Sequence, residues 1–308
     1  MSAYSAAGAT LDRKFGDVGS GPGVDNYPGI AAGASGHLYL YTALNLGQIL
    51  VYKKYGAVLQ QTLQYQNKIL SALTLDDSGN LYAMARNVKR YGGPLDEFAA
   101  NRDGTLALKP FVRRPAVSYY IVTDPMGDVG SAGGANGFTA YTKESKSPFW
   151  VLNATNTSYT AAAFDGSGDL AIAQQVISVP AEYIYVYARG ASTPTYSIMS
   201  DTYAPVQLAY DGSGNLYVLD YCTSNCGTNP IDVISIYAPG ATIPAKVLEP
   251  DPGSKFATIG VSKDGHVAAI EYEGSSQYGM VVYDPGATVP SARTTTGLQA
   301  PFQVVFGT

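Results

Sequence analysis

Three oxygen-bearing side chains stand at matching places along the chain: Gln174 closes "LAIAQ", Asp220 closes "LYVLD" and Glu271 closes "VAAIE". Hard divalent cations take oxygen ligands, so Asp220 and Glu271, with Gln174 as a third ligand, would suit the metal centre of a hydrolase or lyase. The plainer use of the two carboxylates is to accept hydrogen bonds from loop backbone N–H groups. A second group is basic. Arg86, Lys89, Arg90, Arg113 and Arg114 belong to a stretch with seven basic residues against three acids, whereas 201–284 has ten acids against three lysines. Those five cations could form a pocket for an anionic ligand such as a carboxylate or acidic sugar. Alternatively, they are part of a solvated surface of mixed charge.

Other stretches look chemical and are better read as structure. "DGSGN" (211–215) has the acids and glycines of a calcium or phosphate loop. A calcium loop of the EF-hand type needs a distal Glu, and a phosphate loop needs a following helix. The chain continues instead into "LYVLD", which is strand-like, so a hairpin turn capped by its own Asp is expected. His37 and His266, the two histidines, each follow a turn glycine, and no G-x-S-x-G or H-E-x-x-H is present. Cys222 and Cys226, the two cysteines, have no nearby His and make a poor zinc site. A disulfide closing a small loop is expected, and with it an oxidising compartment.

The elements that must position these residues repeat. The turn form recurs in "GASGHLYL", "DDSGNLYA", "DPMGDVGS", "DGSGDLAI", "DGSGNLYV" and "KDGHVAAI", with its glycine at Gly36, Gly79, Gly127, Gly168, Gly214 and Gly265. The spacings are 43, 48, 41, 46 and 51 residues. In step with it runs an apolar strand ending in Tyr and a glycine turn: "IYVYARGASTP", "ISIYAPGATIP" and "MVVYDPGATVP". This alignment makes Tyr52, Tyr141, Tyr187, Tyr237 and Tyr283 equivalent. About four short strands in a unit of this length indicate an all-β β-propeller of four-stranded antiparallel blades. The non-alternating "IYVY" suits sheets covered on both faces. The 25 tyrosines are therefore read mainly as packing.

Dividing 308 residues by a mean spacing of about 46 gives about 6.7 units. One propeller domain over 1–308 is expected, its ring closed by residues 1–15 with 301–308. Seven blades are favoured, six complete and one split between the termini. Six blades, with the end segments packed outside the ring, is the alternative.

A net charge of −5 argues against nucleic-acid binding. No apolar run is long enough to span a bilayer. "MSAYSAAGAT" lacks the basic-then-apolar layout of a signal peptide, so the protein is cytosolic or its leader is missing here.

"P-x-x-L-A-Y-D-G-S-G-N-L-Y-V-L-D" followed by "I-S-I-Y-A-P-G-A-T" resembles the NHL and YVTN-type propeller repeats of bacterial proteins. The resemblance is clearest from Phe164 to Tyr283, and the third repeat is degenerate at Gly130, Gly133 and Gly134. It implies the fold and a secreted, periplasmic or cell-surface location, and it leaves the activity open. The expected function is non-catalytic: a monomeric scaffold binding a small molecule, glycan or protein, without cofactor. A lactonase-like enzyme with a divalent metal at the channel mouth and a sensor domain of a larger receptor are the alternatives.

Overall fold

Five-residue turns set the strand ends. In the second repeat the Gly79 N–H donates to the Asp76 carbonyl (2.9 Å), and the Asn80 N–H donates to the Asp76 carboxylate (2.8 Å). Asp124–Asp128, Asp165–Asp169 and Asp211–Asn215 repeat the arrangement. At the sixth turn the Ser262 hydroxyl replaces the carboxylate. All six turn glycines have φ between 78° and 89°, where a Cβ would collide with the backbone. The glycine-rich acidic loops are thus hairpin turns, with one oxygen of each turn Asp accepting from its own backbone, and the second oxygen of Asp76 and Asp211 accepting from the turn Asn side chain.

The computed structural model of the chain describes residues 2–4, 11–14, 30–33, 36–42, 48–53, 58–64, 69–86, 94–108, 110–113, 120–132, 137–143, 145–153, 157–176, 182–200, 203–222, 232–273, 277–295 and 306. A hairpin of β1 (Ser2–Tyr4) and β2 (Leu11–Lys14) comes first. Six antiparallel four-stranded sheets follow, each in sequence order. Blade 1 is β3 (Ile30–Ala32), β4 (Leu38–Thr42), β5 (Gln48–Tyr52) and β6 (Leu59–Gln64). Blade 2 is β7 (Ile69–Leu75), β8 (Leu81–Arg86), β9 (Leu95–Phe98) and β10 (Phe111–Arg113). Blade 3 is β11 (Tyr120–Thr123), β12 (Val129–Ala132), β13 (Phe138–Tyr141) and β14 (Trp150–Leu152). Blade 4 is β15 (Thr157–Phe164), β16 (Leu170–Val176), β17 (Glu182–Tyr187) and β18 (Tyr196–Ser200). Blade 5 is β19 (Tyr203–Tyr210), β20 (Leu216–Cys222), β21 (Val233–Tyr237) and β22 (Lys246–Leu248). Blade 6 is β23 (Lys255–Val261), β24 (Val267–Glu273), β25 (Gln277–Tyr283) and β26 (Ala292–Thr294).

The expectation of seven blades is therefore corrected to six. Dividing length by period had counted the terminal segments as a blade, but β1 and β2 pair with each other as a two-stranded hairpin. The proposed pairing partner, 301–308, lies outside the described residues except for Phe306, which packs on Ala268, Ile270, Met280 and Val282 of blade 6.

The described residues divide into two compact units, Met1–Gly16 with Asn156–Phe306 and Asp17–Thr155 with Gly307–Thr308. Within each, neighbouring blades bury one apolar layer between them. Ile184, Val186, Leu216 and Val218 fill the space between blades 4 and 5. Leu219, Ile234, Ile236, Ala269 and Val281 do so between blades 5 and 6. The five repeat tyrosines share one register, opposite Leu38, Val129, Leu170, Leu216 and Val267, and Phe98 holds the place in blade 2 opposite Leu81.

Another set of tyrosines ties blades by hydrogen bonds. Tyr82 donates to the carbonyl of Gly127 (3.2 Å), the next turn glycine, and Tyr39 donates to that of Gly104 (3.0 Å). Gly104 tips an extended hairpin in blade 2 that is gripped by Gln60 and Gln61 of blade 1. A Cβ at Gly104 would lie 2.4 Å from the His37 ring, which accounts for the buried His37 as a packing residue.

Candidate functional site

Side chains alternate along a strand, so equivalent positions of successive blades point the same way. In β20, Leu216, Val218 and Asp220 share the face that packs on blade 4, while Tyr217 and Leu219 pack on blade 6. By the same register Glu271 follows Val267 and Ala269 on the face toward blade 5, and Gln174 shares its face with Leu170 and Ile172, away from blade 5. Asp220, Glu271 and Gln174 thus sit in successive layers and are not brought to one point. Among the described residues no group of three or more His, Cys, Asp or Glu is placed to hold a metal ion.

The structure brings Asp220 to a different partner. On β17, Glu182, Ile184 and Val186 form the face toward blade 5, so Glu182 stands opposite Asp220 at the edge of the shared apolar layer. Asp220 is 5% exposed and Glu182 6%. Gln175 Nε2 donates to Glu182 Oε1 (3.1 Å), and Glu182 Oε2 has no hydrogen-bond partner among the described residues. Burial pushes the Asp220 carboxyl up to about 7; the Ser235 hydroxyl opposes this by a hydrogen bond, and the Glu182 charge adds to it. Glu182 is raised as well, by burial. The sequence reading missed Glu182 because it precedes the apolar run "YIYVY". Its one sequence trace is that Asp232 precedes the equivalent run in blade 5.

Glu271 is held differently. Arg293 Nη1 lies 2.5 Å from Glu271 Oε2 and 2.6 Å from Asp251 Oδ2, and the Asp251 N–H donates to Glu271 Oε1 (3.3 Å). Burial raises the Glu271 carboxyl, and Arg293 opposes that by hydrogen bond and charge.

The basic group is not assembled among the described residues. Lys89, Arg90 and Arg114 lie outside them, and Arg86 is described only as the last backbone position of β8. Arg113 is 1% exposed. Its Nη1 lies 2.6 Å from Glu97 Oε2, Nε donates to the Ser145 carbonyl (2.9 Å) and Nη2 to that of Thr142 (3.2 Å). The rings of Phe111, Tyr82 and Tyr141 surround it at 5.0–5.9 Å. Thr142 and Ser145 belong to the turn after β13, at the opposite end of the blades from the second-to-third-strand loops. Arg113 therefore bonds blade 2 to blade 3 and does not point toward the expected ligand face.

His266 lies between Asp264 (3.1 Å) and Asp284 (3.7 Å), with Ser262 and Ser291 close by. The residue types are those of a triad, but the order is wrong. Both hydroxyls donate to carboxylates and not to the imidazole, so no nucleophile is bonded to a base. Hydrogen bonds from Ser262 and His266 hold Asp264 below the usual carboxylate range. Of the cysteine pair, Cys222 is described only as the backbone end of β20, and Cys226 lies outside the described residues. Among the described residues no helix is long and apolar enough to cross a membrane.

Consecutive four-stranded antiparallel meanders, stacked through apolar layers, define a β-propeller. Solved structures share the fold. The β-propeller domain of Cps50 (Swd1) from Myceliophteria thermophila matches with a TM-score of 0.64 at 13% identity, covering 91% of this chain and 89% of that one. A chain of hydrazine synthase from Kuenenia stuttgartiensis matches at 0.69 and 11% identity, covering 94% and 93%. A chain of a mitotic checkpoint complex matches at 0.64 and 10%, covering 92% and 85%. At such identities the likeness extends to the fold and not to activity. No family model matches the chain, and no curated protein does.

Proposed function

We propose that this propeller is of the NHL/YVTN-like bacterial kind and works as an exported, monomeric, non-catalytic scaffold over 1–308, binding a small molecule, glycan or protein. One observation carries the reading: how the repeats use their polar side chains. The turn aspartates, Arg113, Glu271 and His266 each hold another part of the protein. Glu182 and Asp220, buried near the second-to-third-strand loops, are bonded by Gln175 and Ser235, which leaves Glu182 Oε2 for a partner. The mitotic checkpoint neighbour supports an interaction role for the fold, and the net charge of −5 weighs against nucleic acid. Protein purified without chelator should contain no metal at stoichiometric level. Calcium or zinc at one per chain would replace the scaffold reading with an enzyme.

The export part of the proposal rests on Cys222 and Cys226 forming a disulfide. Alkylation of unfolded protein without reductant should add no mass, and addition only after reduction should show two thiols. Two thiols labelled without reductant would remove the argument for an oxidising compartment.

A further inference from the structure

We infer that the layer between blades 4 and 5 binds a guanidinium group through Glu182 and Asp220. The two carboxylates face each other above Ile184 and Val218, each more than nine-tenths buried, with Glu182 Oε2 unpartnered among the described residues. Among the described residues no cation is paired with them. Blades 4 and 5, residues 157–248, contain only two basic side chains, Arg189 and Lys246. Both lie at the third-to-fourth-strand turns, the opposite end of the blades, where Lys246 donates to the carbonyl of Gly286. The connecting segments 177–181 and 223–231 contain no Lys, Arg or His.

The next layer shows what is missing. Between blades 5 and 6 the same two register positions hold Asp232 and Glu271, and there Arg293 binds Glu271. Arg293 pairs across the sheet with Val281; the equivalent residue to Val281 in blade 5 is Ser235, and its partner is Val247. One layer thus carries Glu271 bound by Arg293, which also holds Asp251, and the other carries Asp220 at the Glu271 position with valine at the arginine position. Val247 is 41% exposed, so a guanidinium arriving from outside would follow the path that Arg293 takes from within. Two facing carboxylates suit a planar, multi-donor cation, whereas a divalent metal would need more oxygen ligands than Gln175 and Ser235 add. The guanidinium could belong to a free small molecule or to an arginine of a protein partner.

This inference rests on the scaffold reading and is tested apart from it. Calorimetric titration with arginine amide, and with an acetylated, amidated Gly-Arg-Gly peptide, should show saturable binding to the intact chain. Glu182→Gln and Asp220→Asn should each weaken it about tenfold or more. Val247→Arg should abolish it and raise the melting temperature, because the arginine is then supplied in cis; this variant also controls for misfolding. Tighter binding of the peptide assigns the site to a protein partner, and equal binding assigns it to a small molecule. Binding unchanged by Glu182→Gln and Asp220→Asn would overturn the inference. So would calcium binding without arginine binding, or no binding in either titration. A metal-free protein that ignores both probes loses this inference and keeps the scaffold reading, whereas stoichiometric metal removes the scaffold reading itself.

Discussion

Replacing Arg113 with Ala should lower the free energy of unfolding by about 3–5 kcal/mol, the range for removing one partner of a buried ion pair. The loss has identifiable parts. Glu97, 6% exposed, would be left with no cation 2.6 Å away, and the Ser145 and Thr142 carbonyls would lose their donors. The space between Phe111, Tyr82 and Tyr141 would also be left unfilled. Urea denaturation of wild type, Arg113→Ala and the double variant Arg113→Met/Glu97→Leu separates these causes. The double variant should recover most of the loss, since neither charge remains to be buried. A single variant within about 0.5 kcal/mol of wild type, the usual range for a surface residue, would show that Arg113 is a surface cation after all.

The second large effect is a pH dependence owed to Asp220. Folded, its carboxyl holds a proton up to about pH 7, whereas an Asp in the unfolded chain ionises near 3.9. Between those values the folded state binds one more proton than the unfolded state. The contribution of Asp220 to stability is therefore full below about pH 4, falls as pH rises toward about 7, and is lost above it. A difference of about three pKa units corresponds to about 4 kcal/mol over that window. Asp220→Asn cannot ionise and should lose this slope, so its stability relative to wild type should grow from pH 4.5 to pH 8. Parallel stability profiles for the two proteins would mean that Asp220 is ionised and compensated in the fold.

Several features were readable residue by residue. The turn "DDSGN" closes through bonds within five residues, so Asp76, Gly79 and Asn80 carry the instruction without help from the rest of the chain. The tyrosine register was legible for a similar reason, because the glycine turn and the strand that follows have nearly constant length. Phe98 escaped notice since "LDEF" does not resemble "IYVY", although strand pairing places it in the same slot. The blade count failed because a length divided by a period assigns strands to segments without asking whether those segments have partners.

The candidate sites were less legible, and Arg113 and Glu182 show why. Read along the chain, Arg113 belongs to a basic run and Glu182 to the edge of an apolar strand. What each does depends on which face of which blade it shares, and that is known only once neighbouring blades are stacked. The sequence by itself determined the strands, the turns and the propeller class, since these follow from short-range turn chemistry and a repeated spacing. Only the tertiary structure decided that there are six blades, that Arg113 is an internal tie with Glu97, and that Asp220 faces Glu182. Burial and electrostatic pairing act between residues from different blades, and no local pattern records which side chains will meet.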